Sequence, residues 1–220
     1  MEKRRKKYMF KMGLGMVVVA LPMSIALCFL FIPESAVGAE RRFNALWNFR
    51  TLFFFYGLVF SAVMGMNTST VTFSRLVSYG AARKQAISMA RRIQLLSIGA
   101  ITLFTMAFDM ITRLCGPDIV TDLLIIAACS FLALSLSFGL SILAVRYQKT
   151  GYYIALPILI VISASIMVAG MFFRYEVFDI AGKNIGVVIF VGLFFAVLSL
   201  ILNRKKESML GKMDIASWIV

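Results

Sequence analysis

Histidine is absent from the 220 residues. Its absence removes the most versatile general base and the commonest metal ligand from any mechanism. No GxxxxGK[ST] phosphate-binding loop occurs, so the chain has no nucleotide cradle of the usual kind. A GxSxG serine-hydrolase elbow needs a histidine partner and is excluded with it. The three cysteines, Cys28, Cys115 and Cys129, lie in or beside apolar runs without CxxC spacing. That pattern excludes a zinc site or a disulfide framework from the expected features. Acidic residues are few, 10 against 23 Lys and Arg, for a net charge of +13. Such a balance can mark a nucleic-acid binder. Here, however, the cations form short clusters between long apolar stretches, as they do at the flanks of membrane spans.

What is present in excess is apolar surface. Sixty-one per cent of the residues are hydrophobic, against about 45–50% in globular proteins. A water-soluble chain of this size cannot bury that much. Six stretches are long and apolar enough to cross some 30 Å of hydrocarbon. They are Met12–Ile32, Leu52–Phe73, Ile93–Thr112, Leu123–Val145, Tyr152–Phe173 and Ile185–Leu202. The expected fold is therefore an all-α integral membrane protein of six transmembrane helices, one domain over residues 1–220. The first stretch followed by Val37-Gly38-Ala39 has a signal-peptide outline, but its apolar run exceeds the 7–15 residues of a signal core. It is taken as a span.

Basic residues set the orientation. One side holds Lys3, Arg4, Arg5, Lys6, Lys7, Lys11, Arg75, Arg83, Lys84, Arg91, Arg92, Arg146, Lys149, Arg204, Lys205, Lys206 and Lys212. The other holds Arg41, Arg42, Arg50, Arg113, Arg174 and Lys183. The positive-inside rule places the first group, and both termini, in the cytoplasm. The acids Asp109, Asp118, Asp122, Glu176 and Asp179 fall at the opposite ends of the spans, where they are expected to solvate the outer face. Span centres carry only Ser, Thr, Asn and Gln as polar residues. That argues against a proton-driven antiporter and for a driving force supplied from outside the chain.

Two segments are candidate functional elements. Asn67, Thr68, Ser69 and Thr70 form a polar run that either lines a path or hydrogen-bonds neighbouring helices. Small residues at four-residue spacing (Ser61, Gly65 and Ser69; Ser135 and Gly139; Gly182 and Gly186) predict close helix approach. The loop Ser74–Arg92 is long, basic and readable as two short helical pieces broken near Gly80. It is either an interfacial helix held by anionic lipid or a docking element with an apolar ridge at Leu76, Val77 and Tyr79.

The phrase Val77-Ser78-Tyr79-Gly80-Ala81-Ala82-Arg83-Lys84, directly after the second span, resembles the first cytoplasmic loop of type-2 ABC transporter permeases, in which "SLGATRK"-like phrases recur. The resemblance extends to the six-span layout and to the basic N-terminus, an interfacial helix in that family. It implies a non-enzymatic permease subunit of an ATP-driven exporter in a plasma membrane, bacterial by its small size. Tyr79, Gly80, Ala81, Arg83 and Lys84 would couple to two copies of an ABC ATPase. ATP and magnesium would bind there and no cofactor here, and a second permease copy or sister permease would complete the path. A peptide or amphiphile is the expected cargo, with lipid and no nucleic acid as surroundings. The large extracellular insertion of better-known members is missing, since Arg174–Asn184 is short. Two alternatives remain: a substrate-capture subunit of a vitamin-type importer, and a non-transporting immunity, sensor or assembly protein.

Overall fold

The computed structural model describes residues 15, 18–28, 32, 37–78, 80–112, 119–172 and 182–212, with only part of the side chains between 148 and 172. Among the described residues there is helix and no strand. Helix α1 is Val18–Leu27. Helix α2, Gly38–Asn67, passes through a π turn at Thr68–Thr72 into α3, Phe73–Ser78, as one 41-residue helical rod. Helix α4 is Arg83–Thr112, α5 is Ile119–Phe172 and α6 is Ile185–Lys212.

Four of these helices are long and apolar enough to cross a membrane: Gly38–Ser78, Arg83–Thr112, Ile119–Tyr147 within α5, and Ile185–Lys212. The helices outrun the apolar stretches that announce them. α4 begins ten residues before Ile93, and α6 continues ten residues beyond Leu202. Hydropathy marks only the part that faces lipid, whereas Lys, Arg, Glu and Gln are good helix formers and carry the hydrogen-bond ladder on into water. Of the expected first span only residues 15, 18–28 and 32 are described. The backbone of the expected fifth span is helical to Phe172, while most of its side chains lie outside the described set.

The 54 helical residues of α5 do not make one straight rod. A Cβ added at Gly151 would lie 2.4 Å from the Leu143 carbonyl oxygen, although residues eight apart in a straight helix are separated by about 12 Å. Ile162 borders the same groove as Leu132 and Leu136, which a straight helix would hold roughly 40 Å away. α5 is thus a hairpin of two arms, and Gly151 fits its reversal because a side chain there has no room.

Contacts fix the register of the bundle. α2 and α4 run antiparallel through a ladder of contacts: Phe49 against Phe108 (centroids 5.2 Å apart), Phe53 against Phe104 (4.5 Å), Gly57 against Ile101, and Gly65 against Gln94. Their spacing along each helix is one or two turns, the i, i+4 rule of a packed helix face. The first arm of α5 is antiparallel to α4 through Thr102 with Ser130 (2.7 Å) and Gln94 with Ser137. α6 lies parallel to that arm, with Ser135 Oγ donating to the Phe195 carbonyl at 2.8 Å and Gly192 facing Ala128. Close approach is realised at Gly65, where an added Cβ would sit 2.3 Å from both Gln94 Nε2 and Ser137 Oγ. Among the described residues it is not realised at Gly182 or Gly186, which have nothing within 4 Å. Small-residue spacing permits approach, and only a neighbouring helix at that depth makes use of it.

Candidate functional site

At one end of the bundle, hereafter the Arg50 end, three charges meet. Arg50 Nε donates to Asp109 Oδ1 at 2.9 Å and Oδ2 at 3.0 Å, and its Nη2 donates to Asp122 Oδ1. The side chains are 9%, 0% and 1% exposed, respectively. The Trp47 ring stands 4.8 Å from the guanidinium carbon and shields its face. The planar fork of arginine is what allows one cation to serve two carboxylates on different helices. Asp122 occupies the first turn of α5, where the helix dipole favours an anion. Asp109 lies in the last turn of α4, where it does not. Arg50 offsets both that mismatch and the desolvation of the two acids. With every group ionised, the trio carries a formal charge of −1.

This trio corrects the expectation that the acids solvate the outer face. Asp109 and Asp122 do lie at the ends of their helices, but they are buried and bridged to α2. Asp118, Glu176 and Asp179 lie outside the described residues. The partners stand 59 and 72 positions apart, so no local pattern could announce them. The one available signal was that an arginine and two aspartates each abut an apolar run, where an unpaired charge is costly.

The opposite end, the Gly80 end, also hides a charge. Lys206, counted among the cytoplasmic cations, is 1% exposed. Its Nζ donates to Gln94 Oε1 at 2.9 Å and lies 4.4 Å from the Phe138 ring centroid. Gln94 Nε2 in turn donates to Ser137 Oγ. The next residue, Glu207, accepts from Arg91 (3.1 Å) and from Asn203 (3.0 Å). Buried Oγ of Ser69 and Oδ1 of Asn203 have no hydrogen-bond partner among the described residues. Lys206, Arg91 and Glu207 together carry a formal charge of +1, opposite in sign to the trio. Gln94 and Asp109 share α4, 15 residues apart, so the two clusters stand about 22 Å from each other.

Between them, at mid-length, an apolar groove opens between α2 and the two arms of α5. Its described lining is Phe54, Phe55, Leu58, Val59, Ala62, Cys129, Leu132, Ala133, Leu136 and Ile162. The polar run Asn67–Thr70 does not border it. Thr68, Ser69 and Thr70 are buried; Thr68 Oγ1 donates to the Gly65 carbonyl and Thr70 Oγ1 to that of Met66.

The loop after α2 is a helical hairpin. Gly80, at φ +81°, ends α3 through Gly80 N–H to Val77 O (2.9 Å) and Ala81 N–H to Leu76 O (3.0 Å). This is the left-handed glycine cap of a helix terminus. The two helical pieces expected here are extensions of α2 and α4, separated only by this cap. Leu76 and Val77 are half-buried against Phe73, Ala86, Val145 and Leu210, so those two residues of the expected ridge pack inward. Gly80, Arg83 and Lys84 are exposed and Ala81 is half-buried. Arg83 donates to the Gly211 carbonyl at 3.0 Å. Tyr79 lies outside the described residues. Arg75, Arg146, Arg204 and Lys205 are exposed at the same end, brought there by the Gly80 cap, the α5 reversal and the end of α6.

Comparison with protein-family models, with curated proteins and with solved structures gave no match for this chain.

Proposed function

We propose that the chain is the membrane-spanning permease subunit of an ATP-driven exporter, a six-span protein with both termini in the cytoplasm and a separate ATPase. The observation that carries this reading is the exposed tip of the α3–α4 hairpin, Gly80 to Lys84. It is exposed, basic, and lies between the ends of two long helices, one of which lines the groove. A displacement of this tip would move the ends of both helices. The alternation of helix directions, together with the convergence of basic segments at the Gly80 end, supports the six-span reading with that end in the cytoplasm. The apolar groove suits an amphiphile or apolar peptide as cargo.

The test is affinity purification of the chain from its native membrane in mild detergent. An ATP-hydrolysing subunit should accompany it, and the Arg83→Glu/Lys84→Glu variant should lose that subunit while still inserting. Retention of the subunit by the variant would remove the tip from the contact, and its absence from the unaltered chain would remove the exporter reading.

A second reading, an ion-coupled carrier, is favoured by the two buried charge clusters, since intramembrane charges commonly mark ion pathways. Transport by the chain alone in sealed vesicles, driven by an ion gradient without nucleotide, would decide for it.

A further inference from the structure

We propose that Arg50, Asp109 and Asp122 form a latch that seals the apolar groove from water at the Arg50 end, and that its release is the step that opens this end. The inference does not depend on what drives the cycle.

Position is the first argument. Phe54, in the groove, is one turn along α2 from Arg50, and Cys129 is two turns along α5 from Asp122. The trio therefore stands directly over one end of the groove. Its connectivity is the second argument. The latch joins α2 to the first arm of α5, whose separation would let water descend to Phe54 and Cys129, and ties both to α4. Below it, Phe49 with Phe108 and Phe53 with Phe104 close the α2–α4 seam by contact alone.

Chemistry is the third. Arg50 is common to both pairs, bonding Asp109 through Nε and Asp122 through Nη2, so drawing α2 away strains both contacts together and exposes buried charge that water must then solvate. The contact is therefore favourable when closed and dry or when fully open and hydrated, and costly between. Bistable elements of this kind convert a small displacement into a gate. At the other end Lys206, Gln94 and Ser137 tie α6, α4 and α5 together, so one end can open while the other keeps the bundle joined.

Cys129 provides the readout. In the full chain carrying Cys28→Ala and Cys115→Ser, purified in detergent, Cys129 is the remaining thiol. Its reaction with a charged, membrane-impermeant methanethiosulfonate reports water in the groove. Arg50→Gln and the Asp109→Asn/Asp122→Asn pair should each raise the labelling rate by roughly tenfold or more, as a shift toward the open state requires. Arg50→Lys, which keeps the charge and loses the fork, should fall between. Ser141→Cys, an isosteric change at a fully buried position toward the Gly80 end, should stay unlabelled in the same backgrounds. Equal labelling of Cys129 with and without the latch would overturn the proposal. So would joint labelling of Cys129 and of the Ser141→Cys thiol, which would show general loosening instead of an opened end.

Discussion

The heaviest single-residue consequences fall on charges that have no water. Arg50→Ala removes the cation that both buried carboxylates accept from, and a loss of about 3–5 kcal/mol is expected. It should appear as a large drop in the detergent-solubilised melting temperature. Asp109→Asn should cost less, because Arg50 still pairs with Asp122. Lys206 presents the opposite case. Replacing it with Met removes a buried charge while retaining its volume, so stability should stay level or rise by about 1–4 kcal/mol. Gln94→Leu keeps the cation and removes its only hydrogen-bond acceptor among the described residues, so it should destabilise by about 1–3 kcal/mol. Comparing these two variants in one thermal assay separates the energetic role of Lys206 from its presence; if Lys206→Met proves the worse, the charge itself is holding the helices. Gly65→Ala should also destabilise, because the new Cβ displaces both Gln94 and Ser137.

Among the elements, the α3–α4 hairpin depends on one backbone conformation. Gly80 holds φ +81°, where an L residue with a side chain pays about 1–2 kcal/mol. Gly80→Val should therefore loosen the cap and raise protease sensitivity at residues 79–82, whereas Ala82→Val, outside the left-handed position, should not. Limited proteolysis of the two variants side by side checks this. The hairpin also illustrates what could be read in advance. The break near Gly80 was legible because glycine is the residue for a left-handed cap. That its flanks would be continuous with α2 and α4 was not, because hydropathy falls off where lipid ends and helix does not. The same limit hid the full lengths of α4 and α6.

At the scale of the whole molecule, the helical membrane class followed from apolar content and run length, which are additive along a chain. Pairings across the bundle were not accessible in that way. Arg50 with its two aspartates, and Lys206 with Gln94, depend on register between helices far apart in sequence, and a single chain records no such pairing. The charges therefore looked like surface residues at helix ends until the helices were laid together. One local irregularity has a long reach. The π turn at Thr68–Thr72 is one wide turn in an otherwise regular rod, and each added residue advances the face of a helix by about 100°. It acts as a crankshaft offset between the groove-lining part of α2 and the basic tip. Deleting Val71, exposed within that turn, would rewind it and swing Arg75 to a different azimuth while Arg50 stayed where it is.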